Sequence, residues 1–172
     1  MITDQRLDIA EQRPSINFNQ RPDGTDITLV VIHNISLPPG EFDNDYIEDF
    51  FTNQLQTNQH PYFKTLTDVR VSAHLLIKRD GRIIQFVDFN QRAWHAGRSS
   101  FNQIDDCNNY SIGIELEGTD TTPYETLQYQ SLNQVLSILK TYYPITDVRG
   151  HSEIAPGRKT DPGPAFDWRK LT

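Results

Sequence analysis

Two histidines and one aspartate stand where their side chains could meet in a cleft. His33 ends the apolar run from Thr28 to Asn34, so its side chain can point away from the core. His151 opens residues 150–164, a segment that contains Asp161 and is too rich in proline and glycine for regular structure to be expected. Loops held by a rigid scaffold often supply ligands and catalysts. We expect this loop to bring Asp161 back towards His151.

Two neutral imidazoles and one carboxylate form a three-ligand set with one position left open for water. This set is typical of catalytic zinc, whereas structural zinc sites usually have four ligands and several cysteines. The chain has a single cysteine, Cys107, so a structural zinc site is not expected. Of the five histidines, His74 and His95 could also be ligands, and spacing alone does not decide among them.

Strands are the elements most able to position these residues. The Asp80-Gly81 pair between two β-rich runs is a strong signal for a hairpin. Glu115 alternates with apolar residues, which places it on the strand face opposite them and suits a carboxylate directed at a cleft. Five segments have the composition or periodicity of strands: residues 28–34, 71–79, 82–89, 110–117 and 145–149.

Two helices are predicted, over residues 45–54 and 123–143, from apolar positions at helical spacing. Thr122 is the expected N-cap of the second, before a proline at the first helical position. Residues 1–26 are polar and interrupted by proline and glycine, which predicts an extended arm packed on the rest. These elements predict one domain, residues 1–172, of the α/β or α+β class with a central mixed sheet flanked by helices.

The overall charge and hydropathy narrow the classes of partner. A net charge of −7 argues against nucleic acid, which needs a basic face. No apolar run approaches the ~20 residues that span a bilayer, so no membrane association is expected. The N-terminal residues lack an apolar stretch of signal-peptide length, and a single cysteine suits a reducing compartment. We therefore expect a cytoplasmic bacterial protein, and a monomer.

Several segments resemble, in the same order, the AmpD-type N-acetylmuramoyl-L-alanine amidases. They are HNISLPPGEF from residue 33, VSAH from 71, AWHAG from 93, SIGIELEGTD from 111 and RKTDPGP from 158. The likeness runs from about residue 15 to the end of the chain. It implies a fold similar to bacteriophage amidases and peptidoglycan recognition proteins. It also implies one zinc ion per chain, held by His33, His151 and Asp161.

The resemblance further implies two catalytic residues. Glu115 would take a proton from the attacking water and pass it to the leaving amine. Lys159, two residues before Asp161, would stabilise the carbonyl oxygen as it becomes negative. His74 and His95 are expected to be structural. The alternative is that they support the metal ligands without binding the metal themselves.

Four residues are predicted substrate contacts. Asn34 and Arg158 adjoin the metal ligands, Trp94 could stack on the sugar, and Arg70 could meet a peptide carboxylate. The chain departs from the family at Asp106, where members often carry an arginine before the Cys-Asn pair. That difference removes one expected contact to a substrate carboxylate.

The activity implied is hydrolysis of the amide between the lactyl group of a muramic acid and L-alanine, on small 1,6-anhydro-muropeptides in peptidoglycan recycling. The first alternative is an amidase that acts on intact cell wall or non-anhydro muropeptides. A non-catalytic peptidoglycan-binding module is a second, but such modules typically lack one zinc ligand. A cysteine hydrolase using Cys107 is a third, and no glycine elbow or helix start is present to activate that thiol.

Overall fold

A six-stranded mixed sheet organises the fold, in a computed structural model that describes residues 1–172. The strands in chain order are β1 (Ile2–Thr3), β2 (Arg6–Leu7), β3 (Glu11–Gln12), β4 (Phe18–Gln20), β5 (Leu29–Ile35), β6 (Leu75–Ile77), β7 (Ile83–Gln85), β8 (Gln91–Ala93), β9 (Ser100–Phe101), β10 (Ile104–Asp105), β11 (Ser111–Glu117) and β12 (Asp147–Gly150). The α-helices are α1 (Tyr46–Phe51), α2 (Thr126–Tyr142) and α3 (His151–Ile154), and 3₁₀ turns occupy Pro61–Leu66, Cys107–Asn109 and Trp168–Lys170. The order in the main sheet is β12-β5-β11-β6-β7-β3.

Four neighbouring strands of this sheet, β12, β5, β11 and β6, run parallel. Strand β5 lies between β12 and β11 and pairs parallel with both. All residues of β11 are buried, so both faces of this strand are covered, as expected for parallel strands at the centre of a sheet. Because parallel strands end at the same edge, residues at the ends of β5, β11 and β12 are brought together there.

The predicted hairpin is confirmed. Strands β6 and β7 pair antiparallel. In the turn, Gly81 has a φ of +86°, which favours glycine.

The N-terminal segment contributes β1 to β4. Strand β3 joins the edge of the main sheet by pairing with β7, and β4 pairs with β8.

Helices cover the two faces of the sheet. Helix α2 packs its buried residues, Leu132 and Leu136 among them, into a cluster of 18 buried apolar residues with one face of the sheet. Helix α1 contributes Ile47, Phe50 and Phe51 to a second cluster of 11 buried residues. The predicted class, a central mixed sheet flanked by helices, is confirmed.

Two local predictions are wrong. Helix α2 begins at Thr126 with Glu125 as its N-cap, not at Pro123 with Thr122 as the cap. The side-chain oxygen of Gln128 accepts the backbone N–H of Glu125 at 3.0 Å, which supplies a partner for this N–H group at the helix start. The N-cap therefore lies three residues later than expected. The segment after β12 is not irregular from its first residue, because α3 forms before the first proline, Pro156, is reached.

Candidate metal centre and catalytic cleft

The parallel strands bring the predicted ligands to one edge of the sheet. His33 lies in β5, and His151 is the first residue after β12, the neighbouring strand. Gly150 pairs with Ile32 in the parallel register, so the chain leaves β12 beside His33. The backbone N–H of Ser152 donates to the carbonyl of Asp161 at 2.9 Å, which draws the later loop back over α3.

The nitrogen and oxygen atoms of these three side chains converge. Nδ1 of His33 lies 2.9 Å from Nδ1 of His151 and 3.2 Å from Oδ2 of Asp161. Nδ1 of His151 is 3.1 Å from the same carboxylate oxygen. Ligand atoms about 2.0–2.2 Å from a tetrahedral zinc ion are roughly 3.3–3.5 Å apart, so the separations fit a shared metal ion. His33, His151 and Asp161 therefore form a group able to hold a metal.

The charge states also suit a metal site. Burial lowers the pKa of His33 to about 4, so this imidazole is neutral at pH 7, as a metal ligand must be. Burial acts to raise the pKa of Asp161, but its close contacts with the imidazoles of His151 and His33 outweigh it and leave that pKa well below its usual range. At neutral pH the set therefore offers the neutral imidazole of His33 and the carboxylate of Asp161, beside the imidazole of His151.

Glu115 occupies the position next to the ligands. It is the residue of β11 that pairs with His33 of β5 in the parallel register. Its side chain is only 8% exposed, and Oε2 has no hydrogen-bond partner. Burial raises its pKa well above the usual range, the charge of Asp161 adds to this, and the charge of Lys159 opposes it. A buried carboxylate with a raised pKa and a free oxygen can accept a proton from a bound molecule and return it.

A cleft of roughly 650 Å³ opens over this group. Its lining includes all three ligands, together with Glu115 and Lys159. Lys159 is exposed on the loop that precedes Asp161, and its charge acts on both His33 and Glu115. The cleft thus combines a metal-binding group, a buried carboxylate and an ammonium group.

Three of the four predicted substrate contacts line the cleft: Asn34, Trp94 and Arg158. Both hydrogens of the Asn34 amide are used within the protein, on Asp120 at 2.8 Å and on the carbonyl of Pro162 at 3.1 Å. Its oxygen remains for a substrate. The Trp94 indole donates to Asn19 at 2.7 Å, which holds the half-buried ring at the cleft wall.

Arg70 lies outside the lining of the cleft. Its guanidinium donates to the carbonyls of Thr67 and Val69, both at 3.0 Å, and its side chain is exposed. Asp106 is also exposed and does not line the cleft. Arg70 instead lines a smaller neighbouring pocket, which shares Phe50, Leu66 and Val69 with the cleft.

Sequence reasoning missed Asp120. It lines the cleft, accepts the Asn34 amide, and its backbone carbonyl accepts the N–H of Ala165 at 2.9 Å. Its one available signal was its place at the end of the SIGIELEGTD segment. Cys107 is fully buried against Tyr110 and does not line the cleft, which argues against a thiol nucleophile.

Fold and site together define the class of protein. Residues 23–164 match the family model described as N-acetylmuramoyl-L-alanine amidase. The chain therefore belongs to the N-acetylmuramoyl-L-alanine amidase family, and it is an amide hydrolase.

Within this family the AmpD resemblance is confirmed. The chain is 53% identical to the 1,6-anhydro-N-acetylmuramyl-L-alanine amidase AmpD of Citrobacter freundii over 167 residues, which cover 95% of this chain and 89% of that protein. The crystal structure of a selenomethionine AmpD derivative superimposes with a TM-score of 0.97 at 50% identity, covering 100% and 99% of the two chains. AmiD of Escherichia coli, solved in complex with the substrate anhydro-N-acetylmuramic acid-L-Ala-D-γ-Glu-L-Lys, has a TM-score of 0.63 at 31% identity, covering 88% of this chain and 59% of AmiD.

Proposed function

We propose that the chain hydrolyses the amide between the lactyl group of 1,6-anhydro-N-acetylmuramic acid and L-alanine, with one zinc ion held by His33, His151 and Asp161. The observation that carries the proposal is the convergence of these three ligands beside Glu115 in one cleft. The similarity to AmpD and to AmiD, whose structure holds an anhydro-muramyl peptide, supports this substrate class. The reaction belongs to peptidoglycan recycling.

Zinc suits the donor atoms better than magnesium or calcium, which prefer oxygen ligands. When bound, zinc would polarise the scissile carbonyl and lower the pKa of a water molecule to about 7. Three protein ligands would leave a fourth position for water, which is the arrangement of catalytic rather than structural zinc sites.

Glu115 and Lys159 divide the remaining chemistry. Glu115 takes a proton from the attacking water as the new C–O bond forms, and it delivers that proton to the alanine nitrogen as the C–N bond breaks. The raised pKa of Glu115 makes its carboxylate a stronger base for the first of these two transfers. Lys159 places its ammonium where negative charge builds on the carbonyl oxygen.

The remaining parts of the proposal concern the oligomeric state of the protein and its location in the cell. The three metal ligands, Glu115 and Lys159 meet within a single copy of the chain, so the proposed chemistry needs no second copy and a monomer can be the active form. The unpaired, buried Cys107 supports a reducing compartment, the cytoplasm. The helices are all too short or too polar to cross a lipid bilayer.

The test combines zinc analysis with mass spectrometry of a digested anhydro-muramyl tripeptide. The wild-type protein should bind one zinc ion and release the free tripeptide. Glu115→Gln keeps the shape of the side chain but removes the base, so zinc should stay while kcat falls about 10²–10⁴-fold. His151→Ala should lose zinc and activity together. Near-normal kcat in Glu115→Gln would refute the assigned base.

The preferred substrate is tested with the same protein. Equal or faster cleavage of intact cell wall or of non-anhydro muropeptides would show that the chain is an amidase of the alternative kind. Binding of the tripeptide without any cleavage would instead indicate a recognition module.

A further inference from the structure

Nε2 of each histidine ligand, the ring nitrogen that points away from the other ligands, contacts the segment His95-Ala96. Nε2 of His151 lies 3.0 Å from the carbonyl oxygen of Ala96. A carbonyl oxygen only accepts hydrogen bonds, so Nε2 must carry the ring proton. In the unprotonated form that binds a metal, the lone pair of this imidazole is therefore on Nδ1, the atom that faces the other ligands.

His95, the residue before Ala96, holds His33 by a similar contact to Nε2. Nε2 of His33 lies 2.9 Å from Nδ1 of His95, and the two rings meet edge to face at 81°. Nε2 of His95 lies 3.1 Å from the hydroxyl of Ser111. If Nε2 of His33 donates to His95, then the proton of His95 is on its own Nε2 and is donated to Ser111. This arrangement leaves Nδ1 of His33 free.

The strand and loop around His95 are shaped to hold its ring in place. The side-chain oxygen of Asn108 accepts the backbone N–H groups of both His95 and Ala96, at 3.2 and 2.8 Å. Gly113 leaves the space that the ring occupies, since a Cβ there would lie 2.3 Å from Cγ of His95. Ser111 and Gly113 share one face of β11 with Glu115, because strand residues alternate.

We propose that His95 and Ala96 act as positioning residues that fix the tautomer of both histidine ligands, so that each presents Nδ1 to the metal. His95 acts on His33 through its imidazole, and Ala96 acts on His151 through its backbone carbonyl. The inference rests on the proposed metal function of this site. It assigns a role to His95 that neither its type nor its spacing in the sequence established.

Replacement of His95 tests the imidazole contact. His95→Leu removes the acceptor for the His33 proton, so zinc affinity should fall about 10–100-fold, the effect typical of losing such a partner. His95→Asn places an amide oxygen near the position of Nδ1, so it should recover most of that affinity. Affinity is measured by competition with a chromophoric chelator on the whole protein, and urea unfolding is recorded for each variant.

Gly113→Ala tests the same contact while His95 is kept. The added methyl group must displace the ring, so zinc affinity should fall in this variant also. Gln85→Leu is the matched control, because Gln85 is a buried side chain that bonds the backbone of Leu7 at 2.7 Å and does not line the cleft. It should lose stability but bind zinc like the wild-type protein.

Nitrogen chemical shifts of the two ligand imidazoles give an independent measurement. In wild-type protein both rings should carry the proton on Nε2 and should bind zinc through Nδ1. In His95→Leu the Nε2–H signal of His33 should shift or broaden, whereas that of His151 should be retained.

Wild-type zinc affinity in both His95→Leu and Gly113→Ala would overturn the inference, as would zinc bound through Nε2. Such results would leave the proposed function intact, provided that the wild-type protein binds zinc and cleaves the tripeptide. Failure of the wild-type protein to bind zinc would instead refute the proposed metal function. Equal losses of zinc affinity in Gln85→Leu and His95→Leu would show a general effect of destabilisation and would also overturn the inference.

Discussion

Replacing His74 by asparagine should reduce the pH dependence of the stability of the protein. His74 is fully buried beside β11, where its Nδ1 accepts the N–H of Gly113 at 3.0 Å. Burial, and secondly the charge of Arg21, whose guanidinium lies 3.1 Å from Nε2, lower its pKa from 6.5 to about 3. His95, whose ring centre is 5.8 Å away, and the stacked ring of Phe89 complete its surroundings.

The size of this effect follows from the difference between the pKa of His74 in the folded chain and its pKa in the unfolded chain. The unfolded chain binds a proton at His74 as the pH falls below about 6.5, whereas the folded chain stays neutral until the pH approaches 3. His74 therefore contributes stability above pH 6.5 that is lost as the pH falls. At pH 5.5, one unit below the unfolded pKa, the loss is about 1.4 kcal/mol.

Urea unfolding followed by tryptophan fluorescence at pH 7.5 and pH 5.5 measures this loss. Chelator is present in both experiments, so that release of metal does not contribute. The drop in unfolding free energy between the two pH values should be about 1.4 kcal/mol smaller in His74→Asn than in the wild-type protein. His60→Asn, at the start of a surface turn, controls for the removal of one histidine. The same drop in wild type and His74→Asn would refute the reasoning, and so would an equal reduction in His60→Asn.

Three further predictions concern the cleft and the core. Lys159→Met keeps the aliphatic stem but removes the charge, so steady-state kinetics should show kcat lower by about 10²–10³-fold with KM little changed. A sharp rise in KM at constant kcat would mean that Lys159 binds a substrate carboxylate. Cys107→Ser should keep wild-type turnover, because the thiol is buried away from the cleft, and loss of turnover in a folded variant would contradict this. Lys78 is buried with its Nζ 3.3 Å from Glu48 and 3.1 Å from Glu117, so Lys78→Met should lower the free energy of unfolding by about 3–5 kcal/mol. Arg82→Met, which breaks an exposed ion pair, should cost at most about 1 kcal/mol in the same urea experiment, and equal losses would argue against the buried charge as the cause.

Local patterns explain most of what the sequence predicted about the fold. The hairpin around Asp80-Gly81 and the central strands depend on turn chemistry and on apolar runs, which neighbouring residues determine. Helix starts are less certain from such patterns, because several polar residues near a start can compete for the same backbone groups. At α2 a hydrogen bond from the backbone N–H of Glu125 to the side-chain oxygen of Gln128 selects Glu125 as the cap, although Thr122 and Pro123 also resemble a helix start.

The sequence by itself determined the chemistry available to this protein: imidazole and carboxylate ligands, a carboxylate on a central strand, and a lysine beside the last ligand. The tertiary structure decided which of these groups meet. His33 is 118 residues from His151 and 128 from Asp161. The parallel register of β5 and β12, together with the loop that returns over α3, brings the three side chains within 3.2 Å of one another. Long-range packing also set the place of His95 behind a ligand and of Arg70 outside the cleft. No local pattern encodes such contacts, because they depend on how distant segments pack against one another.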